Sequence, residues 1–257
     1  MTSENAKELA ALPDTLLDRI GRRLARKLNS PSSGYKPFTH ADDDALRRAL
    51  MPGDILLVEG RERISNAIKY LTQSTWSHAA MYVGDMLPGA KKGAPMLVEV
   101  NLGAGCVASP LSKYHSYNTR ICRPVGLTPE ECQAVVRFMI ARLGLKYDHR
   151  NIFDLARYFL PTPPVPVRWR RRMIAFGAGD PTRAICSSLI AQAFQSVRYP
   201  ILPDVDVLED DKGRREVLHI RHHALFAPRD FDLSPWFNVV KPHLADGFDH
   251  RRLTWSH

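Results

Sequence analysis

A chain of 257 residues with 44% hydrophobic content is long enough to bury one sizeable core, and we read one compact domain with an appended arm. With 36 Lys and Arg against 27 Asp and Glu, the formal charge of +9 attracts anionic surfaces such as phospholipid headgroups, cell-wall polymers or nucleic acid. No RNA-binding or zinc-finger pattern accompanies that charge, so no nucleic-acid partner is expected. The four cysteines, Cys106, Cys122, Cys132 and Cys186, form no CxxC pair and are too sparse for a disulfide-stapled secreted domain. The first residues carry no basic stretch followed by an apolar one, and no segment approaches the roughly 18 apolar residues of a membrane span. The expectation is a cytoplasmic protein, with peripheral membrane contact as an added possibility.

Residues 14–28 set Leu17, Ile20, Leu24 and Leu28 on one helical face and Arg19, Arg22, Arg23, Arg26 and Lys27 on the rest. Such a helix either docks its leucines on its own domain or lies on an anionic membrane. Ser30-Pro31-Ser32-Ser33-Gly34 follows as a linker, so residues 1–44 form an N-terminal arm and residues 45–257 the domain. Pro52-Gly53-Asp54 turns into Ile55-Leu56-Leu57-Val58, a run suited to a buried strand, and a helical stretch covers about Arg61 to Gln73. In the next strand, period-two alternation puts His78, Ala80 and Tyr82 on one face and Ala79, Met81 and Val83 on the other. Another strand, residues 96–101, holds Glu99 between two valines, where a carboxylate needs a partner or a function.

Thr128-Pro129-Glu130-Glu131 predicts a helix start with Thr128 as N-cap, Pro129 at N1 and Glu131 closing a capping box. Its apolar stripe, Cys132, Val135, Val136, Met139 and Leu143, makes Cys132 a plain core residue, and Gly144 ends the helix. A second helix from about Asn151 to Phe159 stops at a Pro-rich stretch, and Arg168-Trp169-Arg170-Arg171-Arg172 follows, giving a Pro/Arg-rich insertion around residues 161–180. The insertion is a lid, an anionic-surface contact or a solvated charge run. The helix that follows turns Leu189, Ile190, Ala193 and Val197 inward and leaves Cys186 in its first turn. Past residue 200 the pattern weakens, and Glu209 to Glu216 reads as a charged loop.

A free thiol is mostly protonated at neutral pH, and only its thiolate is a good nucleophile. Two devices lower a thiol's pKa: the positive end of a helix dipole and a neighbouring imidazole. Cys186 has the first by position, and His78 supplies the second if its strand packs against that helix. Glu99 has the setting to orient the imidazole. Each residue alone has a plainer reading: Cys186 as a small buried hydrophobe, His78 as a satisfied strand histidine, Glu99 as a surface carboxylate on an edge strand.

The blocks Gly53-Asp54-Ile55-Leu56-Leu57-Val58, Ser77-His78-Ala79-Ala80-Met81-Tyr82-Val83-Gly84-Asp85 and Val98-Glu99-Val100 resemble the His half of the NlpC-type papain-fold peptidases. Gly144-Leu145-Lys146-Tyr147 with Cys186-Ser187-Ser188-Leu189-Ile190 resembles their Cys half. The halves stand in reverse order, which resembles the circularly permuted YiiX/YebB-like branch, related to lecithin:retinol acyltransferase-like enzymes. Pro228-Arg229-Asp230-Phe231-Asp232-Leu233-Ser234-Pro235 resembles the tail of that branch. The resemblance implies an α+β, permuted papain-like fold: an antiparallel sheet packed against helices, with the nucleophile at a helix N-terminus. It implies Cys186 as nucleophile, His78 as general base and Glu99 as the residue orienting His78, with Tyr147 and Ser187 beside the oxyanion or acyl site.

The implied activity is a thiol hydrolase or acyltransferase acting on an acyl ester or amide of a lipid or lipid-like substrate, with no cofactor. The long insertion before Cys186 departs from the peptidases and points away from peptidoglycan cleavage, although a peptidoglycan or peptide amidase is one alternative. A non-catalytic anionic-lipid-binding module of the same fold is another. His219, His222 and His223 are close enough to ligate zinc but lack an acidic or cysteine partner at useful spacing, so no metal site is expected.

Overall fold

The computed structural model describes residues 43–89, 94–101, 104–145, 185–210 and 213–242, together with 249 and 251. Residues 1–42 of the N-terminal arm, the 151–159 helix, Tyr147 and the 161–180 insertion lie outside the described residues. The described elements are α1 (Asp43–Ala49), β1 (Ile55–Val58), α2 (Arg63–Thr72), β2 (His78–Gly84), β3 (Met96–Asn101), β4 (Gly105–Pro110), a 3-10 turn (Leu111–Tyr114), β5 (Thr119–Pro124), α3 (Pro129–Ile140), α4 (Ile185–Ser196), β6 (Asp204–Asp210), β7 (Gly213–His219), α5 (Pro228–Leu233) and β8 (Phe237–Val240).

Six strands form one antiparallel sheet in the order β4-β3-β2-β1-β5-β8. Alternation along the strands sorts their side chains into two cores. On one face Ile55, Leu57, Ala79, Met81, Val83, Val98 and Val100 meet Val135, Val136 and Met139 of α3 and Leu189 and Ile190 of α4. On the other, Leu56, Val58, Ala80, Tyr82, Leu97 and Ile121 meet Leu46 and Leu50 around α1 and Leu111 and Tyr114 of the 3-10 turn. The fold is α+β, as expected, and α4 lies against α3, β2 and β3.

The capping box at α3 is present as the sequence predicts: Glu131 N–H donates to Thr128 Oγ1 at 3.2 Å, and Thr128 N–H donates to Glu131 Oε2 at 2.9 Å. The helix ends at Ile140, before Gly144, so Leu143 packs from a turn. Cys132 is not a plain core residue. It is half-buried, with Sγ 3.1 Å from the Pro52 carbonyl, because the first turn of α3 sits over the Pro52-Gly53 turn. Gly53 has φ +90°, and a Cβ there would stand 2.9 Å from Cys132 Sγ, so both conformation and space call for glycine.

Within the stretch from Glu209 to Glu216, residues 209–210 and 213–216 are strand rather than loop, part of a two-stranded antiparallel ladder, β6–β7. Its backbone register sets Glu209 opposite Arg214 and Asp204 opposite His219. Beyond it, α5 sends Phe231 into the main core, where Phe194, Phe231 and Phe237 meet at ring separations of 5.2 to 6.5 Å. Among the described residues, no helix is long and apolar enough to cross a membrane.

Candidate active site

His78 is the first residue of β2, opposite Val58 at the end of β1, so its backbone is held while its ring stands at the rim of the sheet. The approach to it is fastened from several directions. Ser77 N–H donates to the Val58 carbonyl at 3.1 Å, and Gly60 N–H donates to Ser77 Oγ at 2.9 Å. Trp76 Nε1–H donates to Asp232 Oδ2 at 3.1 Å, and Arg120 closes on both Asp232 oxygens at 2.7 and 2.8 Å. The C-terminal tail therefore braces the residues that lead into His78.

Glu99 lies on β3, an interior strand, and is wholly buried, which overturns the edge-strand alternative. Register places it beside Ala80 on β2, on the same face as His78. Among the described residues, four side chains bond its carboxylate. His78 Nε2 stands 2.6 Å from Oε2, which Tyr114 O–H also approaches; Lys113 Nζ donates to Oε1 at 2.5 Å, and Ser109 O–H donates to the same oxygen. Burial pushes the carboxyl upward, but His78 and Lys113 outweigh it and hold Glu99 well below the usual carboxylate range. Burial and the Glu99 charge push the Tyr114 phenol strongly upward, so it stays a proton donor.

Cys186 enters from the other side, in the first turn of α4, with 5% of its surface exposed. The His78 ring interacts with its sulfur by hydrogen bond and by charge. Because Nε2 is engaged by Glu99, Nδ1 is the ring nitrogen left for the thiol. Burial works against a charged ring, yet Cys186 and Glu99 push His78 up to about 10. Burial also works against a thiolate, but His78, the Ala79 N–H and Ser187 bring Cys186 below the ordinary thiol value. The other three cysteines go the other way. Burial raises Cys106 to about 11 and Cys122 to about 12, and it raises Cys132 as well.

The structure thus brings together Cys186, His78 and Glu99. Ser187 is fully buried with its hydroxyl 3.9 Å from Cys186 Sγ, so that side chain addresses the sulfur rather than solvent. Tyr147 falls outside the described residues. Ser109, Lys113 and Tyr114 are the partners that sequence reasoning missed. A buried glutamate signals that partners exist, but the irregular Leu111–Tyr114 turn has no period that would name them.

His219 pairs with Asp206 at 3.0 Å, while His222 and His223 stack at 4.2 Å. Among the described residues, no group of three His, Cys, Asp or Glu side chains could hold a metal ion.

Residues 49–159 match the family model of the permuted papain-like amidase enzymes, the YaeF/YiiX or C92 family, a span that takes in His78 and Glu99 and stops before Cys186. A curated relative, the probable lipoprotein peptidase YaeF of Escherichia coli K12, is 24% identical over 166 residues, which cover 59% of this chain. The chain spans 58% of that relative's length. A solved structure described as metalloprotein YiiX from Escherichia coli O157:H7 is 16% identical, with a TM-score of 0.46 over 75% of this chain and 97% of that one. In the order of its His half and Cys half, and over residues 49–159, this chain is similar to the permuted papain-like YaeF/YiiX amidases.

Proposed function

We propose that this protein is a cysteine-dependent hydrolase that cleaves an acyl amide or ester through an acyl-thioester on Cys186. The observation that supports it most is the ordered row of contacts, Cys186 sulfur to His78 ring to Glu99 carboxylate, with His78 Nε2 only 2.6 Å from Glu99 Oε2. A carboxylate on Nε2 fixes the tautomer, so Nδ1 can hold the proton that the thiol gives up.

In the first half-reaction the Cys186 thiolate attacks the acyl carbon, and the C–S bond forms as the carbonyl π pair moves to oxygen. Backbone N–H groups in the first turn of α4 lack intrahelical acceptors and can hold that oxyanion. Collapse breaks the C–N or C–O bond while Nδ1–H of His78 protonates the leaving group. The neutral imidazole then takes a proton from water, whose oxygen attacks the thioester. The C–S bond breaks, the acid departs, and thiolate and imidazolium are restored.

For the substrate we favour a lipid or lipid-modified acyl group. Two things support this: the relative named a probable lipoprotein peptidase, and the +9 charge, which suits a protein that meets anionic lipid peripherally on the cytoplasmic side. An alcohol or amine replacing water in the second half-reaction would make the same machinery an acyltransferase.

Intact-mass analysis after incubation with a library of acyl amides, acyl esters and lipopeptides tests the reading. An acyl adduct on the wild-type chain, absent from Cys186→Ala, is the expected result. Its mass names the acyl group, and transfer to an added amine distinguishes transferase from hydrolase. No adduct, together with equal alkylation rates at Cys186 and the half-buried Cys132 at about pH 6, would overturn it.

A further inference from the structure

Among the described residues, Lys113 is the lysine or arginine that bonds a site whose other members are a thiol, an imidazole and a carboxylate. It reaches Glu99 Oε1 at 2.5 Å from the 3-10 turn, across 14 residues of chain, while its own side chain is 38% exposed. Among the described residues, the groups facing Glu99 are His78 on β2, Ser109 on β4, and Lys113 and Tyr114 on the turn, with Cys186 on α4 beyond the ring and Cys106 on β4 within reach of its charge from the other sheet face. Tyr117 packs edge-on against Tyr114 at 5.5 Å, and Lys113 Nζ lies 5.0 Å from the Tyr114 ring centre.

On the reading of the site given above, the working form contains a thiolate, an imidazolium and a carboxylate in a row. That row carries one surplus negative charge in a buried place, and an uncompensated buried charge is strongly unfavourable. We propose that Lys113 is a positioning residue that acts through Glu99: its ammonium holds the carboxylate ionised and aimed at His78, and it balances the surplus negative charge of the row formed by thiolate, imidazolium and carboxylate. Ser109 and Tyr114 supply hydrogen bonds to the same carboxylate but no charge, so they cannot replace it. Its ammonium contacts the Glu99 carboxylate and the Tyr114 ring, and its influence on Cys186 is passed along the hydrogen bonds of that carboxylate.

Removing a positive charge beside an acid makes the acid harder to ionise. In Lys113→Met the thiolate therefore forms at higher pH than in the wild type. The measurement is the pH dependence of Cys186 alkylation by iodoacetamide in the full chain, read by peptide mass and needing no knowledge of the substrate. The midpoint of the rise should move up by about one pH unit, with a roughly tenfold lower rate at the foot of the wild-type curve. Lys113→Arg should keep the wild-type midpoint and Lys113→Gln should shift like Met, so either neutral variant suffices should the other fail to fold. In a Glu99→Gln background, Lys113→Met should shift nothing further, because the carboxylate that transmits the effect is gone.

A lysine that only braced the turn would lower thermal stability and leave the midpoint in place, and that result overturns the proposal. Equal shifts with and without Glu99 overturn the route through the carboxylate. A wild-type chain whose Cys186 shows no early thiolate at all would instead refute the hydrolase reading, so the two failures are separable.

Discussion

Two buried carboxylates, one at the entry to β1 and one on β3, behave in opposite ways. Asp54, 1% exposed at the entry to β1, is gripped by the Arg123 guanidinium at 2.9 and 2.7 Å and accepts from Met51 N–H at 2.8 Å. Burial still dominates there, and its carboxyl lies above the ordinary aspartate value. Glu99 is equally hidden, yet burial loses and the group is held ionised. The difference lies in the company: Asp54 has one guanidinium and one amide, whereas Glu99 has a lysine, an imidazole and two hydroxyls converging on two oxygens. Asp54 is a clamp that joins the turn before β1 to β5. Glu99 is a relay, because one of its partners is a group that titrates.

Substitution at each carboxylate should separate these roles. The largest effect is expected from Glu99→Gln, which keeps the shape but can no longer stabilise an imidazolium. Acylation by a p-nitrophenyl ester should slow by roughly 1000-fold, and single-turnover release of p-nitrophenol is the measurement. Retention of more than a tenth of the wild-type rate would show that Glu99 does not orient His78.

Asp54→Asn should spare Cys186 reactivity and unfold the protein more easily, by about 3 kcal/mol, because Arg123 is left against a buried neutral group. Urea denaturation reports the stability and alkylation at about pH 6 reports the site. A variant as stable as the wild type but with a dead Cys186 would reverse the assignment.

Acid should widen the contrast. Glu99's pKa is depressed on folding, so its contribution to stability is complete above its unfolded value, 4.5, and is lost as pH falls below that range. Asp54's pKa is raised, so protonation there does not oppose folding. The fall in urea midpoint between about pH 5 and pH 3 should therefore be shallower in Glu99→Gln and remain in Asp54→Asn. His78 gives the alkaline counterpart. The imidazolium needed to protonate the leaving group is lost as pH rises through about 10, so turnover should decline there.

The smallest effect is expected at the brace. Trp76→Phe removes the donor to Asp232 Oδ2 and should cost about 1 kcal/mol, seen as a modest drop in melting temperature with Cys186 reactivity within a factor of two or so.

Much of this site was legible along the chain, and the reasons are local. Strand alternation put His78 opposite the Ala79, Met81 and Val83 face. A carboxylate between two valines announced that Glu99 is not idle, and the run after Cys186 had the spacing of a helix that begins at the thiol. The resemblance to a permuted papain-like family joined pieces lying 108 residues apart in the numbering of His78 and Cys186. The ladder formed by β6 and β7 was not legible, because its run of charges reads as a solvated loop. Strands β4, β5 and β8 were missed as well; Thr119–Pro124 and Phe237–Val240 are short, mixed in polarity and marked only by their neighbours.

What the amino-acid order determined by itself is the set of periodic segments and, through the family resemblance, the candidate site residues Cys186, His78 and Glu99, since these depend on residue type and local motif. What only the tertiary structure decided is the environment that gives those groups their ionisation. Lys113, Ser109 and Tyr114 reach Glu99 because β4 pairs with β3 and the turn after it folds back over the sheet. The field at a buried carboxylate is a sum over space, and distance along the chain does not reveal which charges enter it.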